Sequence, residues 1–524
     1  MSPTKLKYVI RLVVIFAIYF ATAKFGLSLQ AVSRFATLVW IPTGFSIAVL
    51  LLFNYRCWPA IALGAFFVNL LNGAPILVAI GIGTGNTLEA VIGVFILRTF
   101  FGFINSMSRL KDVLALILAA APLAAAVSAT FGVTSLLFGG TITSSEYIKT
   151  WVPWWVGDVI SVLIITPFLL LWSFGISFDR KYGRIAEFIF LFLVVTAVGL
   201  FIFSGTFRLP INNSSIIYLV YPPIIWAALR FGQREVAAIL LVFSGLAIWD
   251  TMLGFGPFAS KDINISLLYL QFFMIITSLT SLILAVVVSE RRRLEGRKDD
   301  FISMASHELR TPVTSIKLYS QIVKTKLDEK KYVATKKYIR KLDDQLYKLT
   351  ALVLDLLDIS RMQSGEIQIE KAPFNLNHLV TEIVESLQRT TKNHTLSING
   401  KITKDVIADR DRIYQVIVNL INNAIKYSPD GGKVIIHCKN TKDYVQISVE
   451  DRGLGIDKNH MQRIFEKLYR APLVKKNAAV PGLGIGLYVS SEIIKIHNGK
   501  IWVENNKKRK GTTFYFTLPI VANN

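Results

Sequence analysis

Apolar residues run almost without interruption from residue 1 to residue 289, and the pattern then changes to that of a water-soluble chain. A bilayer-spanning helix needs about 20 apolar residues. Ten candidate stretches lie near 8–29, 36–53, 57–72, 76–97, 113–138, 151–174, 185–204, 214–229, 235–255 and 265–289. The third and eighth are short enough to be re-entrant, so residues 1–289 are predicted to form an all-α integral membrane domain of eight to ten spanning helices. From residue 301 the apolar positions recur at steps of three and four. Phe301, Ala305, Leu309, Val313, Ile316, Val323 and Leu327 mark one amphipathic helix; Tyr338, Leu342, Leu346, Leu349, Leu352, Val353, Leu356 and Ile359 mark a second. Two such helices make a hairpin over 301–365, and two hairpins bury their stripes as a dimeric four-helix bundle. Residues 290–300 read as a linker helix with no intervening domain, so the last membrane helix is expected to run straight into the hairpin. Residues 373–524 are predicted as an α/β sandwich. Its strands fall near 394–399, 433–439, 444–450, 499–505 and 512–518, and its helices near 376–390, 409–427, 458–467 and 483–496.

Composition agrees with a membrane protein: hydrophobic residues are 52% of 524, and the mean hydropathy is +0.48. The net charge of +23 could suggest nucleic-acid binding. Its distribution argues instead for loops on the cytoplasmic side of a bilayer, where basic residues concentrate. With ten spans and the N-terminus inside, the inner loops carry Lys5, Lys7, Arg56, Arg98, Arg109, Lys111, Arg180, Lys181, Arg184, Arg230 and Arg234, then Arg291–Arg293, Arg297 and Lys298. The outer loops carry only Arg34, Lys149, Arg208 and Lys261. Arg291–Arg293 suit anionic lipid headgroups. Two cysteines, Cys57 and Cys438, exclude a disulfide framework. The first apolar run, with Ala21-Thr22-Ala23 near its end, resembles a signal peptide but is long enough to span, and an uncleaved helix is expected. Lys24, Asn69, Asn86, Glu89, Asp158 and Asp250 sit at membrane depth, where polar groups are costly, and Glu89 and Asp158 are the sensing candidates.

Candidate chemistry lies in the soluble half. In "SMASHELRTP" His307 falls between the apolar positions of its helix and faces solvent, and neutral imidazole is a nitrogen nucleophile near physiological pH. Glu308 can orient the ring and accept its proton, Thr311 shares the helical face of His307, and Pro312 can bend the helix. "NLINNAIKY" puts Asn419 and Asn423 on one helix face, with Lys426 and Tyr427 following. An amide oxygen is a hard ligand suited to Mg²⁺ beside phosphates. In "DRGLGI" Asp451 precedes Gly453 and Gly455, an acceptor and a glycine turn able to read an adenine amino group. "IFEKLYR" offers Phe465 and Arg470. "GLGIGL" places Gly482, Gly484, Gly486 and Leu487 at a helix start, where free N–H groups cradle phosphate. Residues 457–481 read as a lid, and there is no P-loop pattern.

Three resemblances follow. The string "FISMASHELRTPVTSI" resembles the phosphoacceptor box of bacterial sensor histidine kinases. It implies that His307 is phosphorylated, that Glu308 is its acid/base partner, and that Thr311 positions water during dephosphorylation of a partner. The four boxes from "NLINNAIKY" to "GLGIGL" together resemble the ATP-binding domain of the kinase/gyrase/Hsp90/MutL group. Pro42-Thr43-Gly44, Trp58-Pro59, Gly64-Ala65-Phe66, and Trp155 with Gly157-Asp158 resemble the first type of membrane-associated sensor domain, found ahead of bacterial histidine kinases and diguanylate cyclases. The combination implies an inner-membrane, homodimeric protein-histidine kinase with ATP and Mg²⁺ as cofactors. Its partner is a separate cytoplasmic response regulator, its signal is unknown, and it makes no direct contact with nucleic acid. Two other readings fit parts of the chain: an ATP-driven conformational protein without a phosphoacceptor, and a transporter with a regulatory tail.

Overall fold

A computed structural model describes residues 3–28, 38–173, 182–204, 213–261, 263–328, 331–364, 369–429, 431–441, 443–458, 460–467, 469, 484–506 and 510–520. The chain divides into two compact units, Met1–Gly296 and Arg297–Asn524.

The first unit is all helical. Its helices are α1 (Pro3–Ser28), α2 (Ile41–Phe53), α3 (Trp58–Leu71), α4 (Ile76–Phe101), α5 (Leu110–Ala115), α6 (Ala121–Phe138), α7 (Tyr147–Ser173), α8 (Tyr182–Phe203), α9 (Tyr221–Arg230) and α10 (Gln233–Met252). A π-turn, Leu116–Ala120, joins α5 to α6, and α11 begins at Ile263. Among the described residues, seven helical stretches are long and apolar enough to cross a membrane; Ile41–Phe53, Tyr55–Leu71 and Ile216–Arg230 are shorter apolar helices. Many large side chains point outward, as a lipid-facing surface requires, including Leu77, Phe100 and Phe138. Close packing falls to small residues instead. Ala48, Ala65, Ala79, Ala120, Ala121, Ala124, Ala125 and Ala129 are all fully buried.

Helix α11 ends at Asp328, in the second unit, and α12 (Tyr332–Ser364) follows. Between α11 and α12, Lys341 Nζ lies 5.5 Å from the centre of the Tyr319 ring. Much of the hairpin's apolar surface stays open in the single chain: Val313, Leu318, Leu327, Leu346, Val353 and Leu357 are all exposed.

The rest of the second unit is a five-stranded sheet in the order β2-β4-β5-β7-β6, with a two-stranded β1–β3 pair beside it. The strands are β1 (Ala372–Phe374), β2 (His394–Asn399), β3 (Val406–Ala408), β4 (Gly432–Asn440), β5 (Tyr444–Glu450), β6 (Ile501–Asn505) and β7 (Thr512–Pro519). The β2–β4 pair is parallel and the other sheet pairs antiparallel. A parallel pair needs a crossover, and α14 (Arg410–Lys426) lies on that connection. Its periodic face, Ile413, Val416, Ile417, Leu420, Ile421 and Ala424, packs with Ile436, Ile447 and Phe516 of the sheet in one buried core. Each of the larger side chains stabilises the fold by about 1.5–3 kcal/mol. The Asp409 side chain starts α14 by accepting from Asp411 N and Arg412 N, both at 3.1 Å. Asn375 does the same for α13 (Leu376–Gln388), accepting from His378 N at 2.9 Å.

Two predicted features differ. The stretch 458–467 is not a helix: Arg463–Phe465 form one 3₁₀ turn, and neighbouring bonds such as Arg463 N to His460 O and Glu466 N to Arg463 O also span three residues. Ile464 fills the core, while Glu466 is already extended and stops propagation. Strands β1 and β3 were not predicted, because three residues, one of them proline in β1, carry no readable alternation.

Candidate nucleotide and phosphoacceptor sites

In the first unit, the polar groups at membrane depth gather between helices. Helix α2 begins at Ile41, and the Gly44 N–H lies at the end of its first turn. It donates to Ser161 Oγ on α7 at 3.0 Å, and Thr166 Oγ1 donates to Gly44 O at 2.9 Å. A Cβ at Gly44 would fall on the Ser161 carbonyl oxygen, so glycine sets the approach of α2 to α7. The neighbouring Thr43 Oγ1 lies 3.0 Å from Glu89 Oε2 on α4 and 3.0 Å from Asp158 Oδ1 on α7. Both acids are fully buried. Beside them, Asn86 Nδ2 donates to Tyr19 OH at 3.1 Å, Ser128 Oγ to Asn86 Oδ1 at 3.1 Å, and Trp154 Nε1 to Ser128 Oγ at 3.2 Å. Gly64 leaves space for the Tyr19 ring, and Trp155 Nε1 donates to Pro122 O at 2.9 Å. The remaining candidates lie apart from this group. Asn69 bonds within its own helix to Ala65 O, Lys24 is half-buried, and Asp250 is buried.

In the second unit, His307 is exposed on α11, Glu308 is half-buried, and Thr311 Oγ1 donates to His307 O at 3.3 Å. The helix continues through Pro312. Phe301, Met304, Leu352 and Leu356 of the hairpin pack against the sandwich core. Asp358 holds α14 with both carboxylate oxygens, one 2.9 Å from Arg412 Nη1 and the other 2.7 Å from Gln415 Nε2. Lys467 Nζ sits 5.1 Å from the centre of the Phe301 ring, and burial pushes its amine below the usual lysine value.

The nucleotide boxes converge at one end of the sandwich. Asn419 Nδ2 donates to Ser490 Oγ at 2.8 Å, and Asn423 Nδ2 donates to Asn419 Oδ1 at 3.3 Å. The second bond uses the nitrogen end of the Asn423 amide and leaves its oxygen as an acceptor. Lys426 Nζ lies 5.6 Å from the centre of the Tyr427 ring. Asp451 is 3% exposed, and its Oδ1 accepts from Gly453 N at 2.8 Å and Thr512 N at 3.0 Å. Burial pushes this carboxyl above the ordinary aspartate value, against the opposing pull of those two backbone donors. The turn packs on α14: Leu454 N donates to Tyr427 O at 3.3 Å, and a Cβ at Gly453 would strike the same oxygen. Asn505 braces it, donating to Ile456 O at 2.6 Å and accepting from Ile456 N at 3.0 Å. Phe465 meets Phe514 edge-on with ring centres 6.4 Å apart, and His460 Nδ1 bonds Tyr469 OH. Helix α15 (Gly486–Ile496) begins without a side-chain cap, and Gly486 abuts Asn419 Oδ1, where a Cβ would not fit. Leu487 packs partly buried on the core. Arg470, Gly482 and most of the lid lie outside the described residues.

Several site residues escaped the sequence reading. Ser490, Thr512 and Asn505 buttress the nucleotide end, and Tyr19 and Ser128 extend the membrane cluster. Asp112, fully buried and 2.6 Å from Arg109, was missed as well. Their one sequence signal is a polar residue within an otherwise apolar helical or alternating pattern, which by itself names no partner.

Three family models match the chain. MASE1 covers residues 11–292, the His Kinase A (phospho-acceptor) domain 297–365, and the histidine kinase-, DNA gyrase B-, and HSP90-like ATPase 408–522. Over 236 residues the chain is 31% identical to the sensor histidine kinase WalK of Bacillus subtilis (strain 168), covering 44% of this chain and 38% of that protein. It is 33% identical to the alginate biosynthesis sensor protein KinB of Pseudomonas aeruginosa, covering 44% and 39% respectively. The match thus spans about two fifths of the length of these relatives. Among solved structures, the Acinetobacter baumannii histidine kinase AdeS aligns at 25% identity with a TM-score of 0.31, covering 42% of this chain and 98% of that one. Histidine kinase ThkA in complex with response regulator protein TrrA aligns at 26% identity with a TM-score of 0.33, covering 44% and 64%.

Proposed function

The chain belongs to the MASE1 family, and from that premise we propose that it is a multi-pass, inner-membrane sensor histidine kinase of a two-component system. The observation that carries the reading is an exposed His307, within "FISMASHELRTPVTSI", on a helical hairpin whose unit also contains the ATPase sandwich. We assign residues 1–289 to sensing, 290–300 to a linker helix, 301–365 to dimerisation and phosphotransfer, and 373–524 to ATP binding. The open apolar stripe of the hairpin suits a second copy of the chain.

In this reading ATP lies against the glycine turn. Asp451 accepts from the adenine amino group while Gly453 and Gly455 let the backbone approach the ring. Asn419, Lys426, Tyr427, Phe465 and Leu487 line the site, and Arg470 is assigned to it from the sequence alone. Gly482, Gly484 and Gly486 bring the N–H groups at the start of α15 to the phosphates. Asn423 would hold Mg²⁺ through its amide oxygen, and the ion would supply positive charge to offset that of the phosphates. The imidazole of His307 attacks the γ-phosphorus, the P–O bond to ADP breaks, and Glu308 takes the ring proton. The phosphoryl group then passes to an aspartate of a cytoplasmic response regulator, and Thr311 positions water for the reverse, phosphatase reaction. Glu89 and Asp158 belong to signal uptake, and Arg291–Arg293 to contact with lipid headgroups.

The test is transfer of labelled γ-phosphate from ATP to the full-length protein in vesicles. His307→Gln is expected to abolish acid-labile, base-stable labelling while ATP binding survives. Persistent labelling of that kind in the variant would move the acceptor to another histidine.

A further inference from the structure

The buried acids of the membrane unit take no part in phosphoryl transfer, and what they bind can be argued from counting protons and charges. The argument rests on the reading of that unit as the sensor. Thr43 Oγ1 lies 3.0 Å from both Glu89 Oε2 and Asp158 Oδ1. A hydroxyl has one hydrogen and can donate to only one of these oxygens. The second contact is a hydrogen bond only if its carboxyl carries a proton and donates to Thr43. The arrangement therefore contains at least one carboxyl proton and at most one carboxylate charge.

That charge lies among fully buried groups. Helices α2, α3 and α6 carry no ionisable side chain; α4 brings Glu89, α7 brings Asp158, and α1 brings Tyr19, bonded to Asn86. Among the described residues, neither acid forms an ion pair with a lysine, arginine or histidine. A lone buried charge is strongly unfavourable unless something compensates it. The second oxygens, Glu89 Oε1 and Asp158 Oδ2, are buried without a hydrogen-bond partner. So is Ser46 Oγ, one turn along α2 from Thr43. The free oxygens of the two acids, with at most one uncompensated negative charge between them, fit one small positive ion.

We propose that Thr43, Glu89 and Asp158 form a site for a single small monovalent cation, a sodium ion or a proton, taken from the aqueous phase. The proton count sets the valence. A divalent ion requires both carboxyls ionised, and one oxygen 3.0 Å from Thr43 would then face it with no hydrogen between them. Because the three residues sit on α2, α4 and α7, loading the site neutralises the seam between these helices, and emptying it leaves a charge that favours a looser, hydrated packing. Two packings whose balance depends on occupancy are what a sensor requires.

The experiment uses the full-length protein in vesicles of zwitterionic lipid. Its thermal unfolding midpoint is measured in sodium, potassium and choline chloride at equal ionic strength, from about pH 5 to about pH 8. If sodium is the ion, the midpoint rises several degrees in sodium chloride at fixed pH. If the proton is the ion, it rises on acidification in choline chloride alone. Glu89→Gln and Asp158→Asn each remove the sodium response, or the part of the acid response that persists when Asp451→Asn and His497→Gln are both present, and Thr43→Ser, which keeps the hydroxyl, retains it. A native midpoint indifferent to both sodium and pH, or a response kept in both acid variants, overturns the site. Should the acid variants not fold, the native protein and Thr43→Ser decide alone. Unfolding needs no kinase activity. A cation response without His307 labelling would leave the site standing and sink the kinase reading; labelling without a response would do the reverse.

Discussion

Asp451 in the nucleotide sandwich and the Glu89–Asp158 pair in the membrane unit are all buried carboxyls, held in opposite ways. Asp451 receives two backbone N–H groups on one oxygen, one from its own turn at Gly453 and one from the adjoining strand at Thr512. Glu89 and Asp158 share one side-chain hydroxyl, brought to them from a third helix. Backbone donors are fixed by the fold, so the carboxyl of the first arrangement is held in place by its own domain. The second depends on the packing of helices far apart in sequence, and so can report a change in that packing.

The largest expected effect breaks the nucleotide end alone. Asn423→Ala should lower Mg²⁺-ATP binding and His307 labelling by about 100-fold or more, while the sodium or pH response of the unfolding midpoint stays. Titration with a fluorescent nucleotide checks the first half; a variant that binds ATP as well as the native protein would remove Asn423 from the site.

Thr311 sharpens the contrast from a third side, since it is exposed and its hydroxyl bonds only its own helix. Thr311→Ala should keep self-labelling within a few-fold yet slow dephosphorylation of the regulator by about 10- to 1000-fold, the range for losing one positioning contact. Both rates are measured on one preparation. Equal loss in the two would leave Thr311 with no specific phosphatase role.

Gly44→Val attacks the membrane side. The added carbons collide with the Ser161 backbone and should destabilise the α2–α7 packing by about 2 kcal/mol. Unfolding in detergent, followed by tryptophan fluorescence, measures it. ATP affinity is expected to stay within about twofold; an equal fall in both would erase the independence of the two regions.

The smallest effect concerns acid. Because burial raises the Asp451 carboxyl, the folded domain takes up a proton at a pH where an unfolded aspartate is still ionised. Stability from this group therefore rises as pH falls through the raised value, by linkage. The protonated acid is a poorer acceptor for an adenine amino group, so ATP affinity should drop a few-fold over the same window. His497 acts against the stability gain: it is buried, accepts from Asp409 N at 3.0 Å, and burial lowers its basicity, so acidification below the ordinary histidine range removes stability. Asp451→Asn should flatten the affinity profile, and His497→Gln should lessen the loss of stability in acid; unchanged profiles would mean neither group governs its window.

The same contrast explains what could be read from the chain alone. The glycine boxes, the Asn419–Asn423 pair and the helical stripes are local patterns whose geometry follows from backbone periods. The elements that carry these boxes, and their gathering at one end of the sandwich, were therefore legible. Ser490 and Thr512 were not, since each lies more than 60 positions from the group it supports. In the membrane unit, Glu89 and Asp158 stood out because charge is rare at that depth, but Ser128 and Tyr19 are ordinary in a helix and gain meaning only from their neighbours. The short 3₁₀ turn at Arg463–Phe465 carried a helical apolar spacing that the chain does not prolong, because spacing records which side chains are buried and not how many turns bury them.

The glycines of the nucleotide boxes hide a difference of handedness beneath one letter. At Gly455 and Gly484 the φ angles are +78° and +68°, the hand natural to D-amino acids. Gly453 and Gly486 lie outside that left-handed region and are excluded from bearing a side chain only by the atoms in front of them. A semisynthetic chain with D-alanine at Gly455 or Gly484 would meet a backbone already of its own hand, whereas L-alanine would be strained there. At Gly453 the obstacle to L-alanine is the carbonyl oxygen of Tyr427, and at Gly486 it is the side chain of Asn419. Shortening Asn419 would therefore relieve the second and leave the first. Two positions are constrained by mirror symmetry and two by crowding, and only the crowded kind can be repaired by changing a neighbour.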